Sequence, residues 1–491
     1  MDSKISGGTI SKIAAIFAFD LRSLAAFRIG LGVLILWDLV DRLPDLKAHY
    51  TDAGLFPRSL LDDAFWNFGW HWSLHSLSGE LWLQIVLFCL AGLTGLALLC
   101  GWKTRWATLV SWILLCSLHA RNPAVLHGGD ALLRQLLFFS IFLPLGTKWS
   151  FDSKSNNKQS SNQLVFNLAS MALVLQVSSV YWFSLYFKSD PMWTDTFEAI
   201  WYTLNYEFIA KPLGVWLTQF PEALRMLTIG TLALEAVGPL VVMLSWRKPW
   251  LRFAAICLFW VFHLGIWSTV AIGSFSAVCI IAWLPLIPGS IWEYLGKNQA
   301  TDRKPTTPVL SGGIPSQLIP GIAILLILSW NASLADKGGD SEILPNWFKT
   351  VVRTPMLNQR WMAFSNEKGI RWSGWMVIEG TDTSGRHWDL IDGRELSDRE
   401  KPESLYNRFP SERWRKGVRH YLSPKVSDED KRLFSRFFRN ILENEAIKNN
   451  PISKVRVLYY VRWIEPHDQE ASETYHEYEF FAHSFEPQDS V

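Results

Sequence analysis

The 491-residue sequence lacks the signatures that mark most soluble enzymes: it has no GxSxG, no phosphate-binding P-loop, no HExxH and no dinucleotide glycine fingerprint. Cysteine is scarce. Cys89, Cys100, Cys116, Cys257 and Cys279 all lie in apolar stretches, and the last 200 residues contain none. A disulfide framework in the C-terminal third is thereby excluded. No CxxC and no Cys/His zinc spacing occurs, so neither a dithiol redox centre nor a metal is expected. Charge is sparse too, at 19% of residues with a net charge of +2, against roughly 25% charged in soluble proteins. No basic tract is dense enough to follow a phosphate backbone, so nucleic acid is not an expected partner. No cleavable signal peptide stands out and no internal repeat is found. Residues 9–19, "TISKIAAIFAF", read instead as an amphipathic lead-in within residues 1–20.

What the chain does have is apolar and aromatic: 49% hydrophobic residues, with 27 Trp and 30 Phe. Such rings suit membrane interfaces. Nine stretches carry the roughly 20 apolar residues of a membrane helix, at about 22–41, 80–101, 104–120, 131–149, 163–186, 224–245, 250–268, 270–287 and 316–334. The third and eighth are short, and the eighth has the length of a re-entrant segment. With the N-terminus inside, basic clusters fall on every inner loop: Lys103/Arg105, Lys148/Lys154/Lys158, Arg247/Lys248/Arg252 and Lys297/Arg303/Lys304. Nine crossings then place the C-terminal part outside, in the periplasm of a bacterium or the lumen of a eukaryotic endoplasmic reticulum.

The expected fold is therefore a polytopic α-helical membrane domain over 21–335, followed by an extracytoplasmic α+β domain over 336–491. In the latter, "WSGWMVIEGTDTSGRHWDLIDG" alternates around a turn and predicts a hairpin. "SDEDKRLFSRFFRNILEN" predicts an amphipathic helix capped by Ser427. "KVRVLYYVRWIEP" and "TYHEYEFFAHSFEP" predict a second strand pair. Residues 298–315 read as a polar inner linker, and residues 49–62 as an outer lid or re-entrant segment.

Ionisable groups within membrane helices are costly and are functional candidates by default. Arg28 and Asp38 share the first helix, about 80° apart around its axis; they brace the bundle or snorkel from its ends. Asp130 and Arg134, at i and i+4, are spaced to pair, with His127, Gly128 and Gly129 just before them. Glu235 lies deep in the sixth helix and His263 among aromatic residues of the seventh. Each of these is either a structural hydrogen-bonding group or a cavity residue. Lys188 is the only ionisable residue between Val165 and Asp190. It is either a snorkelling anchor or, walled by Tyr186, Phe187 and Trp193, an amine that burial keeps neutral enough to act as a base.

Taken together, "FRIGLGVLILWDLVDRL", "HYTDAGLFPRSLL", "HGGDALLRQLLFFSIFLPLGTKWSFD" and "VYWFSLYFKSDPMWTD" resemble the HTTM-domain family, which includes the vitamin K-dependent gamma-glutamyl carboxylases. "FHLGIWSTVAIGSFSAVCIIAWLPL" is similar to the family's later His-containing helix, and "NQRWMAFS" to the start of its extracytoplasmic domain. The likeness covers about residues 20–290 and is nearest to bacterial members. It implies that a lysine deprotonates reduced vitamin K, a menaquinol-type hydroquinone. Oxygen then adds, an epoxide forms, and the basic oxygenated species takes a γ-proton from a glutamate, whose carbanion captures carbon dioxide. On this likeness Lys188 matches the catalytic lysine and Trp193 the tryptophan after it. His263 and Glu235 would line the quinone cavity, with His127, Asp130 and Arg134 at its wall. Membrane lipid, a quinone and a glutamate-containing peptide or protein are the implied partners. Gly129 stands where an ungapped alignment puts the family's motif histidine, and the carboxylase disulfide has no counterpart. Two other functions compete: a quinol epoxidase that carboxylates no peptide, and a non-catalytic quinone- or lipid-binding membrane protein. Transport would call for internal symmetry, which the sequence does not show.

Overall fold

The structure is a computed structural model that describes residues 3–4, 8–62, 72–155, 163–296, 308–336, 344–365, 371–396, 401–422, 426–435 apart from 429 and 433, 451–469 and 474–485. After a short strand β1 (Ser3–Lys4), helix α1 (Gly8–Phe17) covers most of the predicted lead-in, and β2 (Phe19–Asp20) turns the chain into α2 (Leu21–Arg42). Asp20 caps α2 by accepting the Arg22 N–H, which satisfies one of the helix's orphan donors. Next come α3 (Leu81–Cys100), α4 (Thr104–Arg121), α5 (Gly128–Ser140), the strand β3 (Leu164–Phe166) and α6 (Leu168–Phe187). The bundle is completed by α7 (Pro221–Leu244), α8 (Pro249–Thr269), the short α9 (Phe275–Ala282) and α10 (Gly289–Leu295), the strand β4 (Val309–Leu310) and α11 (Ile314–Asp336).

Helix occupies part of every predicted membrane stretch, but nine spans are not what the described residues provide. Six helices are long and apolar enough to cross a membrane, or seven if the pair 275–286 and 289–295, bent by 95°, is one broken span or re-entrant loop. The expected fourth span fails for a geometric reason. α5 has 13 residues, about 20 Å at 1.5 Å each, against a hydrocarbon core of about 30 Å. Its side chains are nearly all buried among other helices, so it gains its stability from protein rather than lipid contacts. α4 carries Arg, His, Ser and Thr along its length and is likewise packed inward.

At one end of the bundle β1, β4, β3 and β2 form a small four-stranded sheet in that order. The expected inner linker thus contributes a strand, with Val309 and Leu310 parallel to Val165 and Phe166. The basic loops around Lys103, Lys148 and Arg252 lie at this same end: Lys103 N–H donates to Asp152, Arg28 donates to the Lys148 and Trp149 carbonyls, and Arg252 to the Ile16 carbonyl. Exposed Trp102, Trp106, Trp149 and Trp250 ring it, while Trp82, Trp216 and Phe220 ring the opposite end. Two such girdles are what interfacial aromatic residues form at the faces of a bilayer.

The opposite end is capped. After α12 (Asn346–Arg353), a five-stranded antiparallel sheet runs in the order β7-β6-β5-β8-β9, built from β5 (Trp372–Asp382), β6 (His387–Asp389), β7 (Arg394–Glu395), β8 (Ile452–Trp463) and β9 (His476–Ser484). Both predicted strand pairs are present. Ser427 accepts the Asp430 N–H at 3.1 Å, as a cap does, and the predicted helix beyond residue 435 lies outside the described residues. Unforeseen is α13 (Glu412–Tyr421). Its Trp414, Val418 and Tyr421 pack with Met376, Ile378 and Val457 of the sheet, and with Leu55, Phe56, Leu60 and Leu61. Residues 49–62 are thus neither a free lid nor a re-entrant segment; their apolar side chains complete a core shared by bundle and sheet.

Candidate functional site

Lys188 ends α6 and does not snorkel. Only 7% of it is exposed, and its Nζ lies 2.5 Å from each carboxylate oxygen of Glu235 on α7. Tyr181, Ser184 and Lys188, at i, i+3 and i+7, share one face of α6. Ser184 Oγ reaches the same carboxylate at 3.4 Å. The ammonium sits 4.6 Å from the centre of the Trp193 ring, close enough for cation–π attraction. Asp190 caps the short helix Pro191–Thr194 that presents this ring, and Trp193 Nε1 donates to the Phe364 carbonyl at 2.8 Å. Trp193 is a wall as expected and Phe187 is buried, but Tyr186 is 59% exposed. Burial lowers the Lys188 ammonium from its ordinary value, Glu235 opposes this, and the net direction is down.

Behind this pair lies a chain of rings. Trp283 Nε1 donates to the Tyr181 hydroxyl at 2.9 Å, and that hydroxyl meets His263 Nε2 at 2.8 Å. Over them runs a strap, residues 356–365, that contains the "NQRWMAFS" stretch. Gln135 Nε2 donates to the Met356 carbonyl at 3.1 Å. Gln359 and Gln176 exchange two bonds of 2.8 and 3.2 Å, and Trp330 Nε1 donates to the Gln359 carbonyl at 3.0 Å. Neither glutamine was singled out in the sequence. A neutral amide within a polar-poor helix gives the same clue as an ion, and Gln176 has that setting.

The remaining candidates group in a second cluster, although Gly128, next to His127, lies against Phe275 and Trp361. Asp130 and Arg134 do not pair with each other: Arg134 Nη1 meets His119 Nδ1 at 2.9 Å. Asp130 accepts from Arg42 at 2.7 Å and from Arg413 at 3.1 Å, and exchanges capping bonds with His127 at the start of α5. Asp38 pairs with Arg42 at 2.8 Å and with Arg413 at 2.5 Å. Arg42 also donates to the Tyr50 hydroxyl. Arg28 is fully buried at the other end, donating to the backbone carbonyls of Lys148 and Trp149. Arg28 and Asp38 thus brace the two ends of the bundle separately. The hub holds two carboxylates against two shared guanidiniums, one of them brought from α13 of the capping region. Sequence reading passed over Arg413, because "ERWRKGVRHY" looks like an ordinary basic surface helix.

Among the described residues, two clusters have the ligand types of a cation site: Asp38, His119 and Asp130, and Glu198, His467 and Asp468. In the first, Arg42 and Arg413 already neutralise the carboxylates. In the second, His467 Nδ1 meets Glu198 Oε1 at 2.5 Å and ties a bundle loop to the sheet region.

No curated protein and no solved structure matches the chain. The HTTM domain matches residues 18–292, more than half of the sequence and the part that holds α2, Lys188, Glu235 and His263. The chain belongs to the HTTM-domain family, whose domain is the one found in vitamin K-dependent gamma-carboxylase.

Proposed function

We propose that the chain is a vitamin K-dependent gamma-carboxylase-like membrane enzyme, in which the Lys188–Glu235 pair deprotonates a reduced quinone. The observation that carries this reading is a buried amine paired with one carboxylate beneath an aromatic ring. An ion pair in an apolar interior is held only by its mutual attraction. A proton shift of one hydrogen-bond length, from Lys188 Nζ to Glu235, frees the amine and leaves the pair uncharged as before. The amine then takes the quinol proton, and the new ammonium sits between the Trp193 face and the quinol oxygen it has deprotonated. Glu235 is thus more than a cavity lining: it sets the protonation of the base, and the two groups titrate as a unit. Bound reduced quinone, with oxygen, supplies the basicity needed to remove a glutamate γ-proton before carbon dioxide adds. Trp193 and the strap 356–365 keep bulk water from the amine, which a base for so weak an acid requires.

The same reading places the capping sheet and α13 on the outer face of the membrane, with lipid around the aromatic girdles and a glutamate-bearing peptide or protein as acceptor. The test uses purified protein in detergent with reduced vitamin K, oxygen and labelled carbon dioxide. Epoxide and label in an acceptor peptide are expected for wild type, and neither for Lys188→Ala. Lys188→Arg should also be inactive, because a guanidinium stays protonated. Epoxide without label would support a quinol epoxidase that carboxylates no peptide. No epoxide from wild type, with a quinone bound, would leave a binding protein.

A further inference from the structure

Two buried ring nitrogens beside this site bond nothing. Trp361 is 5% exposed and His263 1%, yet Trp361 Nε1 and His263 Nδ1 have no hydrogen-bond partner. Buried polar groups are nearly always paired, so two unpaired ones in one region call for an explanation. Trp361 Nε1 is a donor, because an indole can only donate, and for the same reason Tyr181 accepts from Trp283. In the tautomer in which the Tyr181 hydroxyl donates to His263 Nε2, 2.8 Å away, the imidazole hydrogen stands on Nδ1. The two side chains flank the same aromatic ring: the Phe275 ring centroid lies 5.8 Å from that of His263 and 6.4 Å from that of Trp361.

A pair of unmatched donors around a ring-sized place is the complement of a flat ring that bears acceptor oxygens. It suits a quinone, and it suits still better the deprotonated quinol that a base produces, because charge on oxygen strengthens the bonds it accepts. We propose that Trp361 Nε1–H and His263 Nδ1–H donate to the two ring oxygens of the bound quinone, the Phe275 side chain yielding its place. This rests on the quinol reading above and adds to it the groups that hold the ring. The strap is fixed on both sides of Trp361, through Gln359 to Gln176 and through the Phe364 carbonyl to Trp193, the ring that covers Lys188. Donor and base are therefore held by one segment of chain.

The experiment uses the full chain in lipid nanodiscs and oxidised vitamin K labelled with a heavy isotope at its carbonyl carbons. Infrared difference spectra of the bound quinone report each carbonyl, and equilibrium binding is measured in parallel. Two lowered carbonyl bands are expected in wild type. In Trp361→Phe, which keeps a ring but loses the N–H, one band should return to its free position and binding weaken about tenfold. Free carbonyl bands in wild type overturn the proposal without any substitution, and that reading holds even where the variant does not fold. Unchanged bands and affinity in Trp361→Phe also overturn it, while leaving Lys188 as the base. Wild type that binds no quinone overturns both this inference and the quinol reading beneath it.

Discussion

Arg413 has two buried carboxylates within reach. It donates to Asp38 at 2.5 Å and to Asp130 at 3.1 Å, and all three side chains are within a few per cent of complete burial. Removing one partner of a buried pair leaves a charge uncompensated and costs about 3–5 kcal/mol. Arg413→Ala is therefore expected to lower the thermal stability of the purified protein markedly. Adding Asp38→Asn to that variant should restore part of the loss, because it removes one stranded charge. Equal melting temperatures for wild type and Arg413→Ala would contradict the hub. At this scale the sequence was half legible. Lys188 and Glu235 stood out because each interrupts an apolar run, and burial makes such an interruption expensive. That they meet was not readable, since they belong to different helices 47 positions apart in the chain. The i, i+4 spacing of Asp130 and Arg134 was misleading for the opposite reason: local geometry offered a pair, and more distant guanidiniums took the carboxylate.

Among the elements, α13 shows how a polar helix can belong to a core. Trp414, Val418 and Tyr421 at i, i+4 and i+7 make one apolar face, and Arg413 flanks it. Lys416 on the same helix donates to the Leu126 carbonyl at 3.4 Å, and burial pushes its ammonium from an ordinary 10.5 down to about 8, with Asp130 opposing. Between these two values the unfolded chain binds more protons than the folded one, so stability rises with pH. Melting temperature should therefore climb from about pH 8 towards pH 10.5, and Lys416→Met should remove that part of the slope. An identical slope in the variant would show that Lys416 is not the source. Long apolar helices and alternating strands were legible because their periods are set by what each face touches. The length of α5 was not, because a short buried helix and the middle of a membrane span have the same composition.

For the whole molecule, the basic loops, the two aromatic girdles and the capped end are consistent with one orientation in a bilayer. The test is two single cysteines in a background where the exposed Cys89 and Cys100 are serine. Ser384→Cys, in the turn between β5 and β6, should react with an impermeant maleimide on intact cells. Lys248→Cys, in the loop between α7 and α8, should react only after the membrane is opened. The converse pattern would invert the proposed orientation. The sequence order of the hub also has a meaning in time. Asp38 is made 375 residues before Arg413, so a ribosome finishes the whole bundle while that carboxylate still lacks its second partner. Closure of the bundle's capped end must then wait for the segment that holds Arg413 to be made and to fold back. A chain that stalls after its final membrane helix would carry an unmet negative charge, and a quality-control protease could recognise such a mark.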